Sequence, residues 1–279
     1  MRKARGGAGR RAVFITGTSS GIGKATAIRF SLAGWDVAAT MRDPERAGDL
    51  RDRPGVRLYA LDVTDNDSVI RARDAAVQEL GRIDVVVNNA GFGVDGIFEA
   101  MDDATILRQF DTNVFGVMRV SRAFIPHFRE QGGGTLIQVA SMGGRLAFPL
   151  YSIYHGTKWA VEGFSESLHY ELEPFGIRVK LIEPGAIRTE FYGAGRKFVT
   201  SADLPMYEEY VARMERVSQG AGANGEAPEL VADAILRAAS DGRRTMRYPV
   251  GRPAPLLLAL RRWLPESILF RMIKRSYGS

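Results

Sequence analysis

The chain has 279 residues, 45% of them apolar and 25% charged, with no cysteine and a formal net charge of +6. A chain of this size hides about three quarters of its unfolded surface in one large domain, and its proportions exclude disordered, collagen-like and fibrous proteins. Without cysteine there is no disulfide framework, thiolate metal site or cysteine nucleophile. The positive charge sits at the two ends. Arg2, Lys3, Arg5, Arg10 and Arg11 meet no acid in the first 12 residues, and residues 243–279 carry nine Lys and Arg against Glu266 alone. The residues between are acidic overall, which argues against a nucleic-acid partner. The longest apolar run, Leu256 to Leu260, is far below the ~20 residues that span a bilayer. The apolar stretch after the basic start ends at Ile15, too short for a signal-peptide core. A soluble cytoplasmic protein is expected.

In chain order, residues 1–11 read as a disordered basic lead-in, because Gly and Arg offer nothing to bury. Residues 13–15 form a compact apolar strand, followed by a glycine-rich turn and a helix over 22–33. Strands follow at 37–40 and 56–61, and a helix over 68–80 places Val69, Ala72, Ala76 and Leu80 on one stripe. A buried strand at 83–87 precedes one long helix over 103–128. Gly132, Gly133 and Gly134 turn the chain into a strand at 135–140. A helix over 152–174, a strand at 177–182, helical segments at 206–218 and 228–239, and a short strand at 245–248 complete residues 12–250. Wholly apolar strands alternating with helices predict an α/β fold, a doubly wound parallel sheet of Rossmann type in a single domain. Residues 251–279 form a C-terminal helical extension.

Thr16-Gly17-Thr18-Ser19-Ser20-Gly21-Ile22-Gly23 joins the first strand to the first helix. Glycines permit a tight bend and close backbone approach, and the helix N-terminus offers unpaired N–H groups to a phosphate. Leu61-Asp62-Val63 ends the third strand, where Asp62 can accept from an adenine amino group. Asn88-Asn89-Ala90-Gly91 ends the fourth. In open parallel sheets ligands bind at the carboxyl ends of strands, so these loops converge on one crevice. Turn capping by Asp62 and Asn88 is the other reading.

Tyr154 and Lys158 stand four apart on a helix and share a face. A phenol with an ordinary pKa near ~10 is lowered by a neighbouring ammonium. Ser141 follows the fifth long strand, at the same carboxyl edge, where its hydroxyl can meet a carbonyl oxygen. His127, His155 and His169 are scattered and read as structural or solvated, and no cluster of metal ligands is present.

Taken together, TGTSSGIG, Asp62, NNAG, Asn113, Ser141, YHGTK and Pro184-Gly185 with Thr189 resemble, in order, the motifs of the classical short-chain dehydrogenase/reductase family. The resemblance runs from Thr16 to Thr189. It implies Tyr154 as catalytic acid/base, with Lys158 lowering its pKa and holding the nicotinamide ribose. It implies Ser141 positioning the substrate oxygen and Asn113 supporting a water-mediated proton relay. For the cofactor it implies Gly17, Thr18, Ser19, Ser20, Gly21, Ile22 and Gly23 at the phosphates, and Asp62, Val63, Asn89, Ala90 and Gly91 along the crevice. Pro184, Gly185, Ile187 and Thr189 would lie at the nicotinamide, with no metal.

At the end of the second strand, NAD-preferring relatives carry an acid for the ribose 2′-hydroxyl. Here Met41 takes that place and Arg42 follows, a side chain able to grip a 2′-phosphate. NADP (NADPH) is expected, with NAD as the alternative; an exposed loop charge beside Asp43 is the other reading of Arg42. The stretch from Tyr154 to Phe191 is similar to the 17β-hydroxysteroid and retinol dehydrogenase-like branch, implying a bulky hydrophobic ketone, aldehyde or alcohol as substrate. Phe191, Tyr192, Phe198, Leu204, Met206 and Tyr207, with Phe92, Phe148, Leu150 and Tyr151, are candidate walls of an apolar pocket. The extension repeats leucines at helical spacing among Arg and Lys and breaks at Pro265. It reads as a helix packed on its own domain or on a subunit neighbour in a homodimer or homotetramer, ahead of an amphipathic membrane-surface helix. A non-catalytic nucleotide-binding regulator is the competing function. It would have no use for Asn113, Ser141, Tyr154 and Lys158 together.

Overall fold

Val13, Phe14 and Ile15 are fully buried, and they divide between two cores. Val13 and Ile15 pack with Phe30 and Ile235 on one side, and Phe14 with Val69, Phe124 and Leu168 on the other. Burial on both faces is what an unbroken apolar run encodes. The computed structural model describes residues 10–189, 197–200 and 203–277. Its strands are β1 (Ala12–Thr16), β2 (Asp36–Met41), β3 (Val56–Ala60), β4 (Val85–Asn88), β5 (Val94–Gly96), β6 (Gly134–Val139), β7 (Ile177–Pro184), β8 (Lys197–Val199) and β9 (Arg247–Val250). Seven form one parallel sheet in the order β3-β2-β1-β4-β6-β7-β9. The strand order reverses direction between β1 and β4, which opens a crevice at their carboxyl ends.

The helices are α1 (Gly21–Leu32), α2 (Asn66–Leu80), α3 (Asp103–Phe110), α4 (Gly116–Glu130), α5 (Ser152–Leu172), α6 (Glu208–Ala223), α7 (Pro228–Ser240), α8 (Ala254–Trp263) and α9 (Glu266–Ser276). Helices α1 and α7 cover one face of the sheet, and α2, α4 and α5 the other. Asp65 caps α2 by accepting from the Asp67 N–H, and Gly81 ends it at φ +74.

Three elements differ from the sequence expectation. The helix expected over 103–128 is two helices joined by a π-turn, Asp111–Phe115. Such a bulge adds one residue within an otherwise continuous helical stretch, too small a change for a coarse periodicity to mark. Strands β5 and β8 were not expected; they pair in parallel as a separate two-stranded sheet. Each has three residues, too few for a period to register. Arg11, counted above with the lead-in, is anchored: its guanidinium lies 4.0 Å from the centre of the Trp35 ring and donates to the Ala239 carbonyl at 2.9 Å.

The chain turns at Pro265, the N-cap of α9, and the inner faces of α8 and α9 bury Leu258 and Leu269 against Leu146. Among the described residues, no helix is long and apolar enough to cross a membrane.

Candidate active site

The turn between β1 and α1 is built around three glycines that cannot be replaced. Gly17 and Gly21 hold φ of +71 and +54, a region that penalises any Cβ. A Cβ on Gly23 would stand 2.1 Å from the Gly17 carbonyl oxygen and 2.5 Å from Asn89 Nδ2. The side chain of Asn89 closes the turn by donating to the carbonyls of Thr16 and Gly17 at 2.9 and 3.0 Å. Thr16 Oγ1 accepts from the N–H groups of Asn89 and Ala90, both at 3.0 Å, and Thr18 Oγ1 donates to the Thr40 carbonyl. Ser20 caps α1 without a side-chain hydrogen bond to it, and no acid lies in its first turn. A glycine cradle at an acid-free helix N-terminus fits a phosphate group.

The other loops face this turn. Asp62 Oδ1 accepts from the Thr64 N–H and hydroxyl at 2.9 and 2.7 Å. Partial burial alone would raise this carboxyl. The two Thr64 bonds, with Arg42 and Arg119 nearby, outweigh that and hold it below its ordinary value. Val63 is buried against Gly116, where a Cβ would meet Val63 Cγ2 at 2.8 Å. Asn88 donates to Ser121 and Gln138 at 3.1 and 2.8 Å inside the core, which gives it the structural role. Gly91 lies against the Asn113 amide. After β7, Gly185 fits under the Arg252 carbonyl and Ile187 packs into the core. The segment then returns so that Thr189 lies 3.5 Å from where a Gly21 Cβ would be. The segment that starts at Pro184 thus ends beside the phosphate turn.

Ser141 follows β6 as the cap of a 3₁₀ turn, its Oγ accepting from the Gly143 N–H at 3.0 Å. The Tyr154 phenol hydrogen-bonds the Ser141 hydroxyl, while burial pushes its pKa up to about 12. Lys158 Nζ donates to the Val139 carbonyl at 2.8 Å and lies 5.8 Å from the centre of the Tyr154 ring. Burial pushes this ammonium down to about 8, and Glu162 opposes that. The structure therefore brings Ser141, Tyr154 and Lys158 together. Lys158 stands beside the phenol, and burial of the phenol pushes in the opposite direction to a neighbouring cation.

Asn113 occupies the π-turn, where its side chain is spent on its neighbours. Nδ2 donates to the Phe92 carbonyl at 2.9 Å and Thr157 Oγ1 at 3.2 Å, and Oδ1 accepts from the Phe92 N–H. Met41 points into the core with Ile15 and Phe30, away from any ribose. Arg42 is exposed, and among the described residues no carboxylate pairs with it. Asp43 instead caps the next turn through the Glu45 N–H.

The family described as short chain dehydrogenase matches residues 11–198, two thirds of the chain and all of the crevice. The chain belongs to the short-chain dehydrogenase family. It is 36% identical to the uncharacterized oxidoreductase YusZ of Bacillus subtilis, over 97% of this chain and 99% of that protein. Human 17-beta-hydroxysteroid dehydrogenase type 1 is 35% identical over 86% of this chain and 77% of its own length. The crystal structure of a short-chain dehydrogenase from Streptomyces avermitilis superposes with a TM-score of 0.83 at 33% identity, covering 98% of this chain and 99% of that one. An oxidoreductase dependent on a nicotinamide dinucleotide is what this membership establishes.

Of the expected pocket residues, Phe92, Phe148, Leu150 and Tyr151 lie in loops, and the Tyr151 and Tyr154 rings stand 6.3 Å apart. Leu150 is held at φ +68, an uncommon conformation for this residue, and its carbonyl accepts from Gly96 of β5 at 2.8 Å. Beside it lies a groove of ≈ 290 Å³ lined by Gly96, Ile97, Leu150 and Tyr207. Phe198 is in β8, and Leu204 caps the 3₁₀ turn Pro205–Tyr207 that carries Met206 and Tyr207. Phe191 and Tyr192 lie outside the described residues. Sequence reasoning missed Ser218, whose hydroxyl meets the Tyr151 phenol at 2.5 Å, and Tyr277, whose ring lies 6.4 Å from Phe148. Neither carries a local motif. The structural reading of His155 holds: its Nδ1 accepts from the Phe148 N–H at 3.2 Å.

Proposed function

We propose that this dehydrogenase interconverts a carbonyl and an alcohol on a bulky apolar substrate, using NADP(H), with Ser141, Tyr154 and Lys158 at the reacting centre. One observation carries the reading. A half-buried phenol is hydrogen-bonded to a serine hydroxyl and stands beside a lysine, at the strand ends where the glycine turn opens. When bound, the nicotinamide dinucleotide supplies or accepts the hydride. The Ser141 and Tyr154 hydroxyls hold the substrate oxygen in place. As the carbonyl carbon gains hydride in the reductive direction, the oxygen becomes negative and takes the Tyr154 proton. The phenolate left behind is stabilised by the Lys158 ammonium. Asn113 contributes by fixing Phe92 and Thr157, and Thr157 in turn donates to the Tyr154 carbonyl at 2.7 Å.

NADP(H) is favoured over NAD(H) by Arg42, an exposed cation that lies near Asp62 but makes no direct ion pair among the described residues. The glycine turn and Asn89 would hold the phosphates, Asp62 and Val63 the adenine end, and Ala90, Gly91, Pro184, Gly185, Ile187 and Thr189 the nicotinamide end. The apolar walls Phe92, Phe148 and Leu150 support the substrate class, as does the likeness to a steroid dehydrogenase. A cytoplasmic homo-oligomer is part of the same reading. The test follows NADPH absorbance with a panel of ketones and aldehydes graded in size and polarity. Turnover is expected to rise with apolar bulk. NADPH binding without turnover on any member would overturn the assignment, and a preference for small charged carbonyls would overturn the substrate class.

A further inference from the structure

We infer that the outer face of the α8–α9 hairpin seats the protein on an anionic lipid surface. The inner face of the hairpin is already used, with Leu258 and Leu269 buried against Leu146. The outer face is open. Trp263 is 78% exposed, Leu256 64% and Phe270 52%. Surface apolar residues scattered singly need no explanation, but a contiguous patch marks an interaction site. Leu256 and Trp263 share the face of α8 opposite the buried Leu258, and Phe270 flanks the Arg271 and Lys274 side of α9.

Charge selects the occupant. Arg262, Arg271 and Arg275 lie on these helices, with Lys274 beside them, and their one acid, Glu266, is paired with Arg261. Apolar and aromatic side chains interleaved with Lys and Arg are the signature of a helix lying in the headgroup region, where anionic lipids attract the cations. A second copy of the chain would bring the same cations face to face in a two-fold contact, which like charges oppose. Neither helix is long enough to cross the bilayer, so the hairpin lies on the surface. Its anchoring rests on tryptophan and phenylalanine at the interface level.

The inner face explains what this seat would do. Met142 and Phe148, just beyond Ser141, pack against the buried side of the hairpin. Tyr277, immediately after α9, approaches Phe148. Docking would therefore hold the wall of the proposed apolar pocket one helix layer from the lipid, close to where an apolar substrate dissolves. This consequence rests on the proposed substrate class; the docking itself does not.

The experiment needs no activity. Full-length protein is sedimented with vesicles of phosphatidylcholine alone or mixed with phosphatidylglycerol. Binding is expected to the mixed vesicles only, with release in about 0.5 M salt as screening shortens the reach of the cations. Trp263→Ser with Phe270→Ser, and separately Arg271→Glu with Lys274→Glu, are each expected to lower the bound fraction roughly tenfold. Circular dichroism and unchanged NADPH affinity establish that the variants are folded. Three results would each overturn the inference: no binding to anionic vesicles, binding undiminished in both folded variants, or a dimer in sedimentation velocity that the Trp263→Ser/Phe270→Ser pair dissolves.

Discussion

Lys158 and Tyr154 stand one helical turn apart on α5, with Lys158 Nζ 5.8 Å from the centre of the phenol ring, and the phenol still sits at about 12. At neutral pH Tyr154 is therefore a proton donor rather than a base. Tyr154→Phe removes that proton while keeping the ring and its packing. Turnover is expected to fall roughly 10²- to 10⁴-fold, the usual contribution of a positioned acid, with NADPH affinity and melting temperature little changed. Steady-state kinetics beside a cofactor titration checks this, and a mutant with near-normal kcat would remove Tyr154 from the reaction.

The Lys158 ammonium loses its proton near pH 8, and with it the charge that stabilises a developing phenolate. The reductive kcat is expected to decline above that pH along a one-proton limb. Glu162, one turn further along α5, supports the ammonium, so Glu162→Gln should move the limb to lower pH. The measurement is kcat against pH for both proteins. A limb that does not move would separate the Glu162 carboxylate from the lysine.

Cofactor choice turns on Arg42. Losing a charge-assisted hydrogen bond costs about 1.5–3 kcal/mol, so Arg42→Ala should raise KM for NADPH about 10- to 150-fold and leave NADH nearly untouched. Because Met41 packs into the core, an acid placed there would be buried, and stability loss would obscure any switch. Arg42 is the cleaner probe. Unchanged NADPH kinetics in the alanine variant would sink the NADP assignment.

His155 makes a separate prediction about acid stability. Burial lowers its pKa to about 4, below the unfolded value of ~6.5. The unfolded chain therefore takes up a proton first as pH falls. Stability is fully present above pH 6.5 and is lost as pH drops through 4, by on the order of 3 kcal/mol. His155→Asn should flatten the melting temperature across that window, whatever it costs at neutral pH. Thermal melts of both proteins from pH 7 to 4 decide it, and parallel curves would refute the assignment.

Much of this site is legible in the sequence because it rests on local chemistry. The glycine turn, the Tyr154–Lys158 spacing and the strand ends each need particular residues at fixed intervals. What escaped the sequence depends on depth or on distant partners. Phenol burial raises Tyr154, and no spacing rule measures burial. Whether Met41 points inward depends on which face of β2 meets α1. The pairing of Val94–Gly96 with Lys197–Val199 joins residues about a hundred positions apart, through strands too short to show a pattern. The π-turn lies within one continuous helical stretch, so Asn113 could be named from its resemblance while its amide partners could not.

The order of strands also bears on how the chain is made. Residues emerge from the ribosome N-terminus first. Strand β2 joins β1 on one side and β3 joins β2, and β4 then joins the free side of β1. From there β6, β7 and β9 each dock on the outer edge left by the strand before. No later strand has to wedge itself between neighbours that are already paired. The sheet can therefore grow outward during translation, with one edge fixed at β3 and the other moving. The moving edge passes from β4 to β6, β7 and finally β9, and β3 stays the edge on the other side throughout. Each stage leaves an unpaired strand open to other chains, so chaperone cover matters at every step of the growth and not at one.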